Sequence, residues 1–489
     1  MRSHLTLVAK HSFVYGVGGA ALQLVGLVTF PILAHAFVPS TYGVLEVAVA
    51  VFTVALTIAD FGFVSASQRS YYDHPDADRA ARESVLTTAL AGTTVVALLC
   101  AAGLVAFRNP LAEWLFGERQ SELMLLVAAG IVVANLAAFV RQVFRLRLQP
   151  WHFTAATVLA SVCAAAVIVV GVTRYDGGAE VVFLGLLVGN AVGLIYALAF
   201  AYDAFGRTLS RFELTRMVRF GVPLLPAALA MWALMLVDRL MLSRLSGLGE
   251  VGQYAAANRV AAVLLLVTTA VATAYGPYAL SLYASDRALE KEVRARVLVY
   301  LAAALTLVCV VLSLFARELL AVLAPGYDRA YQAVLLLSLG GVALGLGAIT
   351  MSGISFARRT MYFATLSIAA AGVNIALNLV LIPPFGMIGA AVATTAGLAF
   401  LASAYYIVSQ RLYRTPYEPV TVIAIVAAGA VAGSVGLAVF ESAVIGTVVK
   451  LAALVGFLGA LRLLGVVSGS HLREIASALT AVLRSREAT

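Results

Sequence analysis

Fourteen apolar runs, each about as long as a bilayer is thick, recur along the chain with short polar breaks between them. They lie at 12–37, 41–66, 83–107, 121–143, 151–173, 180–203, 218–245, 250–283, 293–316, 331–357, 360–382, 386–409, 417–440 and 443–466. A hydrocarbon core about 30 Å thick takes roughly 20 apolar residues per helix, so each run is read as one membrane-spanning helix, numbered span 1 to span 14. The expected fold class is all-α and polytopic. Composition agrees: 62% of the 489 residues are hydrophobic and 12% are charged, against about 25% charged in soluble domains. No stretch is left over for a soluble domain. Gly and Pro within spans, as in Gly221-Val-Pro-Leu-Leu-Pro226, are tolerated in membrane helices.

Lys and Arg concentrate in cytoplasmic loops of membrane proteins. With the N-terminus inside, the inner segments hold 24 of the 33 Lys and Arg and the outer segments six, leaving Arg239, Arg244 and Arg259 within or at the ends of spans 7 and 8. An error of one span would scramble this alternation. Both termini are therefore expected in the cytoplasm. The net charge of +9 is mainly this topology signal. It is spread over many inner loops and forms no single basic face, so nucleic acid is not an expected partner. Cys100, Cys163 and Cys309 all fall within spans and read as small apolar packing residues. The run after Lys10 is too long for a signal-peptide core and reads as a retained first helix.

The chain also repeats itself. LAEWLFGERQSELMLLVAAG from Leu111 aligns with LLAVLAPGYDRAYQAVLLLSLGG from Leu319 when Gly117 is set on Gly326, an offset of 326 − 117 = 209. That offset places Phe153 on Tyr362 and Tyr196 on Tyr405 without a gap, and Gly43 on Gly252. Six spans per half put both halves into the membrane in the same direction, as a parallel repeat about an axis along the membrane normal. The expected organisation is an N-lobe at 1–209 (spans 1–6), a C-lobe at 210–415 (spans 7–12), an appendage of spans 13 and 14 at 416–467, and a cytoplasmic tail at 468–489. The tail segment HLREIASALTAVLRSR has the pattern of an amphipathic helix lying on the inner leaflet. NPLAEWLFGERQ, from Asn109, has a similar pattern outside.

Substrates of repeat-built transporters bind between the halves, which makes polar residues inside the spans informative. In span 2, Glu46, Thr53, Asp60 and Ser67 follow at intervals of seven on one helical stripe. A carboxylate facing hydrocarbon costs about 2.5–3.5 kcal/mol on insertion scales, so the stripe faces either a wet cavity or a helix seam bonded through Thr and Ser. In span 1, Gly16, Gly19, Gln23 and Gly26 share a face, as close packing or as a cavity wall with Gln23 as its polar handle. Span 7 carries Asp238 and Arg239 side by side. Neighbours on a helix point about 100° apart, so the two are expected to seek separate partners, with Arg259 of span 8 the nearest candidate for Asp238. Arg239, Arg244 and Arg259 against one acid form a positive surplus suited to an anionic ligand, because Arg forks match phosphate oxygens. Snorkelling to outer headgroups is the alternative for Arg239 and Arg244. Arg69, Arg141 and Arg145 close spans 2 and 4 on the inner side, as ligand contacts or as plain topology charges. Asn374 and Asn378 lie one turn apart in span 11, bonded to a neighbouring helix or lining the path.

Nucleotide-loop, HExxH and paired CxxC motifs are missing from the sequence, and no outer loop is large enough for a catalytic domain. An enzyme is not expected, and neither is a metal centre or a bound cofactor.

The segment GVNIALNLVLIPPFGMIGAAVATTAG, 372–397, resembles the span 11–12 hairpin of the Wzx-type polysaccharide flippases in the MATE-like MOP superfamily. Asn374, Asn378, Pro383, Gly386, Gly389, Ala390, Ala391, Ala393 and Thr394 carry the likeness. FPILAHAFVPSTYGVLEVA with ADFGFVSASQR resembles the family's first hairpin, and LMLVDRLMLSRLSGLGEVGQYAAANRV its counterpart in the second half. Many members have twelve spans. Fourteen is a number shared with lipid II flippases, which blurs the subfamily. The resemblance implies two six-helix lobes around a V-shaped cavity lined largely by spans 1, 2, 7 and 8. It also implies transport of a polyprenyl-(pyro)phosphate-linked oligosaccharide by alternating access, driven by protons, by sodium or by the membrane potential, alongside other polysaccharide-assembly proteins. A cation-coupled drug exporter of the same fold, a lipid II flippase and a membrane polysaccharide polymerase are the alternatives.

Overall fold

The structure is a computed structural model and describes residues 26, 28–75, 77–117, 120–440 and 442–466. Among these residues, thirteen helices are long and apolar enough to cross a membrane, from Pro39–Asp73 to Ala443–Leu463, and they coincide with spans 2 to 14. No strand occurs among them. Span 1 is described only at its outer end, which is helical at 28–36. Gln23 and the amphipathic tail lie outside the described residues. The chain is a multi-pass, all-α membrane protein.

Local chemistry sets where the helices start. Asp78 accepts a bond from Ala81 N at 3.1 Å, Asp286 from Ala288 N and Leu289 N at 2.9 and 3.0 Å, and Ser210 from Glu213 N at 3.2 Å. Each satisfies backbone donors that a helix N-terminus leaves free. These caps open spans 3, 9 and 7 at the basic end of the bundle, the end that gathers the Arg-rich loops. The opposite end is called the far end below.

The repeat is visible in the geometry. Short helices at Arg108–Phe116 and Ala316–Leu323 precede spans 4 and 10. Each is followed by a glycine in the left-handed region, Gly117 (φ 72°) and Gly326 (φ 88°), the pair that sets the offset of 209.

Spans 2, 7 and 8 are interrupted. Span 2 stops at Asp60, turns through Phe61 (φ 48°) and Gly62 (φ 76°), and restarts at Phe63. The Asp60 carboxylate accepts from Gly62 N and Val64 N, both at 3.3 Å, and so caps the second segment. The single polar stripe expected along span 2 is therefore divided, and Asp60 belongs to the turn. Span 7 breaks at Val222–Leu224, around Pro223, where proline cannot donate a helical bond. The two breaks meet: a Cβ on Gly62 would lie 2.7 Å from Gly221 Cα. Span 8, Leu248–Ser285 at 38 residues, is divided after Ala261.

Apolar packing shows how the lobes sit. One continuous buried core runs across both lobes at the far end, from Phe30, Leu45 and Ile131 to Leu242, Tyr254 and Val334. Toward the basic end it separates into an N-lobe core around Phe139 and Val143 and C-lobe cores around Leu301 and Leu401. Span 7 crosses between them. Met217, before its break, is buried in the N-lobe core, whereas Leu234, after it, packs with spans 10 to 12. The lobes are thus joined at the far end and part toward the basic end. Spans 13 and 14 pack on span 9 through Ile425, Ala432, Phe457 and Val310.

Candidate functional site

Two glycines let the lobes touch at the far end. A Cβ on Gly43 would overlap the carbonyl of Leu248, and one on Gly252 would overlap the carbonyl of Pro39. Both glycines and both carbonyl residues are related by the offset of 209, so the contact is reciprocal between the two halves of the repeat. Backbones this close leave no room for water. Tyr327 of the C-lobe adds a hydrogen bond from its hydroxyl to Phe37 O at 2.9 Å and sets its ring edge-on to Tyr42, with centroids 5.9 Å apart.

Just inside this contact sits a cluster of four charges. Glu46 of span 2 accepts from Arg239 Nε at 3.0 Å through one oxygen and from Arg259 Nη2 at 3.1 Å through the other. Arg239 Nη1 is also 3.3 Å from Asp238 Oδ1. Asp238 Oδ2 accepts from the hydroxyls of Tyr254 and of Thr394, the latter at 3.1 Å. Trp232 of span 7 donates to Ala50 O and Thr53 Oγ1 of span 2, each at 3.2 Å. A single N-lobe carboxylate therefore holds two C-lobe guanidiniums.

This arrangement corrects several expectations. Asp238 and Arg239 do pair: their Cα–Cβ directions diverge, but the long Arg239 side chain folds back to its neighbour and to Met235 O at 3.0 Å. Arg259 is the partner of Glu46, not of Asp238. The expected surplus of positive charge disappears, because two acids face two bases and Arg244 lies away from them over the Trp114 ring, 5.4 Å from its centroid. Glu46, Asp238 and Arg239 are buried among helices and do not line water. Arg259 alone is open, with 43% of its side chain accessible, beside Gly26 of span 1.

The other expected residues lie elsewhere. Asn374 and Asn378 are fully buried and extend the network within the C-lobe. Asn378 Nδ2 donates to Asn374 Oδ1 at 3.0 Å, and Asn374 Nδ2 to Thr394 Oγ1 at 3.4 Å. Asn378 Oδ1 is buried with no hydrogen-bond partner. This row of oxygens, ending at Asp238, is where the chain could hold a small cation or a proton. No group of three His, Cys, Asp or Glu with metal-binding geometry occurs among the described residues. Arg69 lies over the Phe220 ring at 5.2 Å, and Arg145 over Phe153 at 4.1 Å. Arg141 is half-buried against span 6, where a Cβ on Gly193 would sit 3.3 Å from its Nη1. These three do not join the cluster, and neither does Asp60. Sequence reasoning missed Trp232 and Tyr327. An indole among aliphatic residues at Trp232 was a signal, since a buried indole N–H needs an acceptor.

A family profile described as polysaccharide biosynthesis protein matches residues 8–283. No curated protein matches the chain. Among solved structures the chain is similar to lipid II flippase MurJ in an inward closed conformation, with a TM-score of 0.70 at 13% identity, covering 91% of this chain and 98% of that one. It is also similar to an inward-facing multidrug resistance MATE family transporter of the MOP superfamily, with a TM-score of 0.65 at 14% identity, covering 80% and 94%. A Vibrio cholerae MATE transporter gives a TM-score of 0.57 at 16% identity, covering 84% and 98%. At these identities the likeness is one of fold. The profile spans more than half of the chain and takes in every residue of the charged cluster, so the chain belongs to the polysaccharide biosynthesis protein family, built on the MATE-like fold of MOP flippases and transporters.

Proposed function

We propose that the protein is a flippase that carries an anionic polyprenyl-(pyro)phosphate-linked oligosaccharide from the inner to the outer leaflet of the cytoplasmic membrane by alternating access. The observation that carries this reading is the state of Arg259. It is bound to the carboxylate that joins the lobes, yet it is accessible, and it lies where the lobes begin to part toward the basic end. A phosphate entering from that end offers a guanidinium two oxygens in the plane its fork prefers. It competes with Glu46 for Arg259. Once Arg259 turns to the ligand, Glu46 keeps only Arg239, and the contact holding the far end closed is weakened. The anion thus drives the change of state through its own differential contact, as any ligand-driven transition requires. The lipid tail stays in the bilayer while the glycan passes between the lobes.

The test is genetic and chemical together. In a strain deleted for the gene, polyprenyl-linked glycan should accumulate in the inner leaflet, the wild-type gene should clear it, and Arg259→Ala should not. Full rescue by Arg259→Ala would remove this arginine from the mechanism.

A further inference from the structure

At the far end of the C-lobe, a cavity of about 390 Å³ opens between the short helix Ala316–Leu323 and the start of span 10. That is the size range of small-molecule sites. Its floor is apolar, made by Leu320 and the buried Tyr327 ring, and its walls carry Arg317, Asp328, Tyr331 and Gln332. The loop that shapes it is fixed in place: Arg329 N donates to Gln253 Oε1 at 3.2 Å, and the Arg329 guanidinium bonds to Glu250. Glu250 also accepts from Met387 N at 2.9 Å, tying the loop to span 8 and to the turn between spans 11 and 12.

An apolar floor with an aromatic ring, a planar amide and a guanidinium on the walls suits a sugar, which has an apolar ring face and a rim of hydroxyls. Arg317 lies over the Tyr331 ring, 4.3 Å from its centroid, and makes no ion pair among the described residues. Arg329 is already held by Glu250, and Asp328 on the rim repels a second negative charge. Among the described residues, one guanidinium without an ion pair beside one carboxylate favours a single anionic charge, hence a carboxylate over a phosphate dianion.

We infer that this cavity is a subsite for a carboxylate-bearing sugar of the uronic acid type, part of the glycan that the protein moves. The inference rests on the transport reading above. Its position supports a role on the release side, because Tyr327 forms its floor and also makes the hydrogen bond to Phe37 that closes the far end. Opening that end would free Tyr327 and bring the cavity to the exit of the path.

Saturation-transfer NMR on the full-length protein in detergent, with glucuronate, glucose and glucose 6-phosphate as separate probes, tests the assignment without any transport step. Glucuronate should bind best, and Arg317→Ala should weaken it about tenfold, the loss of one charge-assisted hydrogen bond. Tyr331→Leu should weaken glucuronate and glucose alike, and Arg174→Ala, a distant far-end arginine, should change neither. Equal binding of glucose and glucuronate, stronger binding of glucose 6-phosphate, or unchanged glucuronate binding in Arg317→Ala would overturn the proposal. Arg259→Ala should keep glucuronate binding while losing transport. If transport reads out as proposed and glucuronate does not bind, the subsite fails alone.

Discussion

Arg239 and Arg259 share a carboxylate but differ in burial, and that difference decides what each substitution does. Arg239 is buried between Glu46 and Asp238, so Arg239→Met leaves Asp238 buried without a cation, while Glu46 keeps Arg259. Breaking a buried pair from one side costs about 3–5 kcal/mol, and a large fall in thermal unfolding temperature is expected. Arg259→Met removes a half-exposed group, and Glu46 keeps Arg239. Its melting temperature should stay near wild type while transport is lost. Comparing the two variants by thermal unfolding and by glycan clearance separates a structural arginine from a working one. The sequence singled out both arginines as charges inside apolar runs, but it misassigned their partners. Helical spacing sets where a Cα–Cβ bond points, and it says little about where a side chain with four rotatable bonds ends.

Within elements, the breaks in spans 2, 7 and 8 matter more than their lengths. Pro223 reads in the sequence as tolerated within span 7, whereas the helix breaks around it. The stop at Asp60 was not legible either, because a Phe-Gly turn inside an apolar run has no hydropathy signature, and the seven-residue stripe argued for continuity. The glycines at Gly43 and Gly252 were legible as a repeated pair, though not as the point of contact. Substituting Gly252→Val should force the far ends apart, since the added atoms overlap the Pro39 carbonyl. A cysteine introduced at exposed Ser40 should then react faster with a membrane-impermeant thiol reagent than it does in the parent protein. In span 11 the two asparagines turn inward and continue the chain of oxygens to Asp238. Asp238→Asn should abolish any response of transport in proteoliposomes to an imposed sodium or proton gradient.

At the scale of the whole molecule, the all-α membrane architecture could be read from hydropathy and the alternation of arginines, since both follow from the bilayer as solvent. The state of the molecule could not, because it depends on which end of two like bundles is in contact. Here the far end shares one apolar core and the basic end does not, and among the described residues Glu46 is the carboxylate that holds both guanidiniums across the join. The most direct test places spin labels on the exposed positions Ser40→Cys and Asp328→Cys, with Cys100, Cys163 and Cys309 replaced, and measures their separation by pulsed electron resonance. The parent protein should give one short distance, and Glu46→Gln a longer, broader distribution without any ligand. A far end that stays as tightly closed in Glu46→Gln as in the parent would contradict this.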